Sequence, residues 1–75
     1  MTTYENHGGS SPILAFEIGD DSIMIKFTDG SLYLFTYRSA GSSNVEQMKK
    51  YAMFGHGLNG FISRFVGMAS GSKVG

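Results

Sequence analysis

The stretch Ile23-Met24-Ile25-Lys26-Phe27-Thr28-Asp29-Gly30-Ser31-Leu32-Tyr33-Leu34-Phe35-Thr36-Tyr37 decides the fold. Two runs rich in β-branched and aromatic residues flank Asp29-Gly30. Asp-Gly between such runs is the strongest short-range hairpin signal, because both central residues of a type I′ turn need positive φ. A two-residue loop sets the register. It pairs Thr28 with Ser31, Phe27 with Leu32, Lys26 with Tyr33, Ile25 with Leu34 and Met24 with Phe35. Parity then puts Ile23, Ile25, Phe27, Leu32 and Leu34 on one side, an aliphatic surface expected to be buried. Met24, Lys26, Tyr33, Phe35 and Tyr37 fall on the other, an aromatic stripe with a base beside it.

Outward from the hairpin, Ile13-Leu14-Ala15-Phe16 and Ile18 form a preceding strand, opened by Pro12 and closed by Gly19-Asp20-Asp21-Ser22. After it, Arg38 to Ser43 reads as a glycine and serine loop ending in helix-start chemistry. Ser43 with Glu46, or Asn44 with Gln47, has capping-box spacing. Val45, Met48 and Ala52 recur at i, i+3 and i+7, so a short helix is expected with Lys49 and Lys50 outward. Gly55-His56-Gly57 breaks it. Leu58, Phe61, Ile62, Phe65 and Val66 then repeat as one apolar stripe, with Gly67 as the stop.

The order β-β-β-α-α makes the fold class α+β: a three-stranded antiparallel sheet packed on one face by two short helices. Residues 10–67 make one domain, flanked by a flexible N-terminus at 1–9 and a flexible tail at 68–75. Two short helices can cover only one face of such a sheet, so the other must meet solvent, a second chain or a ligand.

Composition narrows the chemistry. The chain has 75 residues, 41% of them apolar, so one core is affordable and wholesale disorder is not expected. Cysteine is absent, which excludes disulfides and thiolate metal sites and makes a reducing cytoplasm the natural setting. No apolar run approaches the roughly 20 residues that span a bilayer, so no membrane partner is expected. Net charge is zero but unevenly spread. Met1 to Tyr37 holds Lys26 against Glu5, Glu17, Asp20, Asp21 and Asp29. From Arg38 onward Arg38, Lys49, Lys50, Arg64 and Lys73 face Glu46 alone. This asymmetry suits either a surface for an anionic partner or two solvated faces.

Nothing declares a reaction. The two histidines, His7 and His56, sit in loops without triad or metal spacing, so no catalytic residue, cofactor or metal site is expected. Asp20-Asp21 reads as turn chemistry. Gly55-His56-Gly57-Leu58-Asn59-Gly60 matches G-x-G-x-x-G in letters, but it follows a helix, and no acidic residue comes after it. Gly57-Leu58-Asn59-Gly60 also has the GXXG form that clamps nucleic-acid backbone in KH domains, although the strand order differs from theirs. Tyr33, Phe35 and Tyr37 on one sheet face beside Lys26 and Arg38 suit base stacking with phosphate pairing, with Lys49, Lys50 and Arg64 as further phosphate contacts. The same rings could instead form half the core under the helices, or meet a symmetry mate.

Ser10-Ser11-x-Ile13, then Ile25-x-Phe27-x-x-Gly30-x-x-Tyr33-x-Phe35, then Val45, Ala52 and Gly57-Leu58-Asn59-x-Phe61-Ile62 together resemble the KTSC domain. That family occurs at the C-terminus of some lysyl-tRNA synthetases and as small stand-alone bacterial proteins. The resemblance covers residues 10–66. It departs where the family's Tyr-x-Tyr becomes Tyr33-Leu34-Phe35, and where Val-Pro before the first helix becomes Arg38 to Ser43. It implies a non-catalytic accessory domain for which RNA binding is the suggested activity. The alternative is a protein-interaction or homodimerisation module.

Overall fold

In a computed structural model, which describes all 75 residues, the chain is α+β. Strands β1 (Thr2–Thr3), β2 (Ile13–Ile18), β3 (Ser22–Phe27) and β4 (Leu32–Thr36) lead into α1 (Tyr37–Ala40), α2 (Ser42–Phe54) and α3 (Leu58–Phe61). A π turn over Ile62–Val66, a 3₁₀ turn over Met68–Ser70 and strand β5 (Ser72–Lys73) complete it. The sheet is antiparallel in the order β1-β2-β3-β4-β5. It therefore has five strands rather than three. The two added strands come from the segments outside the expected domain: Thr2–Thr3 pairs with β2 and Ser72–Lys73 with β4. Their backbone groups cover what would otherwise be long unpaired edges. No helix is long and apolar enough to cross a membrane.

The hairpin forms where expected but with a longer loop. Gly30 N–H donates to the Phe27 carbonyl at 2.9 Å, and Phe27 N–H donates to the Ser31 carbonyl at 2.9 Å. Gly30 has φ +90° whereas Asp29 does not enter the positive region, so the connection is a turn followed by a bulge glycine, not type I′. Asp29 favours this loop by accepting from Ser31 N–H at 2.9 Å and from Ser31 Oγ at 2.6 Å. The extra residue slips the register by one: Lys26 pairs with Leu32, Ile25 with Tyr33, Met24 with Leu34 and Ile23 with Phe35. Because side chains alternate, the slip exchanges the two faces of β4. Tyr33 and Phe35 join Ile23, Ile25 and Phe27 on the covered side. Leu32 and Leu34, expected in the core, stand on the other.

A second irregularity makes β2 fit. Ile13 pairs with Phe27 while Ala15 pairs with Lys26, so Leu14 is an extra, bulged residue. The bulge lets Ile13 and Phe16, of opposite parity, both face the core. Tyr4 N–H takes the Leu14 carbonyl at 3.0 Å.

The covered face packs under α2 and α3. Val45, Met48 and Ala52 are buried as their spacing implies, together with Leu58 and Ile62. Capping occurs one short helix earlier than expected. Thr36 and Ser39 form a capping box that starts α1, so Tyr37 is helical rather than the end of β4. No side chain caps α2, whose Asn44 Nδ2 donates instead to the Ala40 carbonyl at 2.9 Å.

Candidate nucleic-acid interface

The eight residues expected to form one binding surface are dispersed. Phe35 is 0% exposed. Tyr33 is half-buried with its ring edge-on to Phe27 at 5.6 Å. Tyr37 lies exposed on α1, where its hydroxyl donates to Glu46 Oε2 at 2.6 Å. The three rings therefore share no face, and the cause is the one-residue slip for two of them and the helix start for the third. Lys26 is on the open face of the sheet, beside Leu32.

Lys49 is not an outward base. It follows Val45 by four residues, which turns it inward, and it is only 9% exposed. Its ammonium donates to the Asp20 carbonyl at 3.0 Å, ion-pairs with Glu46 at 2.8 Å and sits 5.7 Å from the Tyr37 ring centre. This latch joins α2 to the β2–β3 turn. The Lys49 bond and then the Tyr37 hydroxyl hold the Glu46 carboxyl below its usual range, and the bond to Glu46 pushes the Tyr37 phenol up. Arg38, Lys50 and Arg64 remain exposed.

The structure instead gathers aromatic rings on the helical side. Tyr51, Phe61 and Phe65 stack in sequence, with centres 5.2 and 5.3 Å apart and planes tilted by 35° and 34°. Phe65 is 67% exposed. Its exposure has a local cause. Gly67 N–H closes an i to i+5 bond to the Ile62 carbonyl, and this wider turn underwinds the helix just before Phe65. Regular α spacing would have returned Phe65 to the face of Leu58 and Ile62. Such π turns recur at functional sites.

One recess is lined by this stack, and two more continue from it through shared residues. One of about 260 Å³ is lined by Tyr51, Gly57, Gly60, Phe61, Arg64 and Phe65. A polar one of about 190 Å³ shares Gly57 and Gly60 with it and adds Asn6, Ser10, Ser11, His56 and Asn59 among others. A third of about 330 Å³ shares Gly8 and His56 and is completed by His7 and the exposed Phe54. The glycine loop is thus the hub. Gly57 stands at φ +88°, where a side chain would be strained, and the Tyr51 ring would lie 3.1 Å from its Cβ. No carboxylate lines any of the three recesses, and their ionisable groups other than tyrosine are His7, His56 and Arg64. Arg64 has no acidic partner in the chain.

His56 is exposed and has no carboxylate beside it, while His7 pairs with Glu5 at 3.0 Å in the open. No three His, Cys, Asp or Glu side chains come together to hold a metal ion. The spacing of Tyr51, Phe61 and Phe65 was available in the sequence, but read as helical periodicity it assigned Phe65 to the core. Comparison with protein-family models, with characterised proteins and with solved structures found no match to the chain.

Proposed function

We propose that the chain is a small non-catalytic binding module, KTSC-like as its motifs suggest, that holds single-stranded RNA across the aromatic and glycine-lined surface between α2 and the π turn. The observation that carries this reading is the Tyr51–Phe61–Phe65 stack, half-buried at Tyr51 and Phe61 and exposed at Phe65, which lines one recess free of carboxylates and borders, through Gly57 and Gly60, a second. Unstacked bases lie flat on such rings at a gain of about 1–3 kcal/mol each, whatever their sequence. Arg64 beside the rings supplies a charged, planar partner for phosphate. Gly57 and Gly60 present backbone without side chains between the aromatic and polar recesses, so a sugar-phosphate chain can lie close. Asn6, Ser11, His56 and Asn59 then offer hydrogen-bonding groups to the next nucleotide. Within this reading Lys50 and Arg38 are at most peripheral phosphate contacts, and Phe35 and Lys49 take no part.

The test is fluorescence anisotropy of labelled single-stranded RNA at two ionic strengths. Affinity should fall with salt, and Phe65→Ala should weaken it about tenfold, in line with the loss of one stacked base. Arg64→Ala should lower the salt slope by about 0.7, the value for one phosphate on a single strand. Absence of binding at low salt, or equal affinity of Phe65→Ala and wild type, would refute the reading.

A further inference from the structure

We infer that the uncovered face of the sheet is an interface for a second copy of this chain. The side opposite the helices carries two cross-strand rows, set by the pairing: Thr3, Ala15, Lys26 and Leu32 in one, and Glu17, Met24, Leu34 and Ser72 in the other. Val74 extends the first row, since its N–H donates to the Leu32 carbonyl at 2.8 Å, and it is 52% exposed. The half-buried Met24, Leu32 and Leu34 and the exposed Val74 thus make a continuous aliphatic patch on which no helix lies, with Gly75 against the Leu32 side chain. The helices contact the other face, and β1 and β5 pair along the sheet's edges.

The face carries two charges of opposite sign. Lys26 lies opposite Ala15 and Glu17 opposite Met24, so the two are diagonal neighbours, and neither makes an ion pair within the chain. A twofold axis lying between two stacked sheets and bisecting the line from Glu17 to Lys26 sets each lysine over the glutamate of the other copy. A face-to-face pair of this kind is isologous and closes at two copies. Both charges then find partners, and Met24 and Leu34 come near their own counterparts.

Other occupants fit less well. An anionic lipid surface or nucleic acid would meet Glu17 and a face of no net charge. Strand addition at an edge finds only the two-residue strands β1 and β5. Two copies of a chain with zero net charge do not repel one another at long range. A stable pair needs about 500–600 Å² from each partner. Against a total surface of 4356 Å² that is a modest share, and the long strands β2, β3 and β4 make a face roughly 20 Å in length and three strands wide, which the two-residue β1 and β5 extend at its edges.

The test is analytical ultracentrifugation of the full chain and of exposed-face variants. Wild type should sediment as a dimer, and Leu34→Asp as a folded monomer. Lys26→Glu and Glu17→Lys should each weaken the dimer at least several-fold, and the double reversal should restore it. That rescue keeps the test decisive even if Leu34→Asp disturbs folding. A monomeric wild type overturns the inference. So does a dimer that withstands Leu34→Asp and both single reversals, or one that Phe65→Asp breaks while Leu34→Asp does not. RNA titration of the same variants separates this outcome from the reading of the helical side, because none of these sheet-face residues lines the recesses.

Discussion

The Tyr4 hydroxyl accepts a hydrogen bond from the Leu58 N–H at 3.3 Å, across 54 residues of chain and within the buried interior. Leu58 opens α3, so its amide has no partner inside the helix and needs one from elsewhere. Tyr4 is 4% exposed and also anchors the N-terminal segment through its backbone bond to Leu14. One residue, through its backbone and its side chain, therefore ties the N-terminal segment, the β2 bulge and the glycine loop together. Tyr4→Phe keeps the ring and removes the acceptor, leaving a buried donor unpaired. It should cost about 1–2 kcal/mol in urea unfolding and speed hydrogen exchange at the Leu58 amide. Wild-type exchange at that amide would contradict the bond.

Gly30 carries the register of the hairpin. At φ +90° it occupies the bulge position, where an L-side chain is strained. Gly30→Ala should destabilise by about 1–2 kcal/mol. A D-alanine placed there by chemical synthesis should leave stability unchanged or raise it by about 0.4–1 kcal/mol, through a less flexible unfolded chain. The Cβ of the L-alanine would meet nothing within 4 Å, so its cost comes from the backbone and not from packing. Equal stability of the two enantiomers would mean that the loop has a different geometry.

This glycine also marks where the sequence stopped being informative. The Asp29-Gly30 signal locates the turn correctly, and the strands on both sides form as their composition implies. It does not distinguish a two-residue loop from a three-residue one. That single residue determines whether Tyr33 and Phe35 or Leu32 and Leu34 face the helices. Both sets are apolar, so hydrophobic pattern could not break the tie. Helix α2 was readable because Val45, Met48 and Ala52 keep one period. Phe65 was not, because a π turn changes the period within five residues. The edge strands escaped notice because two-residue pairings such as Thr3 with Ala15 leave no periodic trace. For the binding surface, Arg64 was identifiable from its charge, whereas the polar recess at Gly57 and Gly60 arises from tertiary packing of the N-terminal segment against the glycine loop.

Lys49 should behave as a structural residue. Lys49→Met keeps much of the aliphatic stem but removes the charge-assisted bond to the Asp20 carbonyl and the pair with Glu46. The expected loss is about 1–2 kcal/mol in chemical denaturation, with α2 less firmly held to the β2–β3 turn. Lys50→Met, one residue along and exposed, should change stability by less than about 0.5 kcal/mol. Similar losses in the two variants would remove the distinction between latch and solvated base.

The Glu46 cluster gives the fold a pH signature at both ends of the scale. The carboxyl of Glu46 is held below its ordinary value of 4.5, by the Lys49 ammonium first and the Tyr37 hydroxyl second. Its folded state thus binds a proton less readily than the unfolded chain does. The resulting stabilisation is complete above the ordinary value and disappears as pH falls through the lowered one. Tyr37 runs the other way. Its phenol is raised above 10.0 by the bond to Glu46, so its share is complete below that value and is lost as pH rises through the raised one. Glu46→Gln should therefore flatten the dependence of the urea midpoint on pH below about 4.5, and should also return the Tyr37 titration, followed by phenolate absorbance, toward its ordinary range. Tyr37→Phe should reduce only the smaller part of the acid effect, since Lys49 remains beside the carboxylate. An unchanged phenolate titration in Glu46→Gln would break the link between the two residues, and an unchanged acid limb would remove Glu46 as its source.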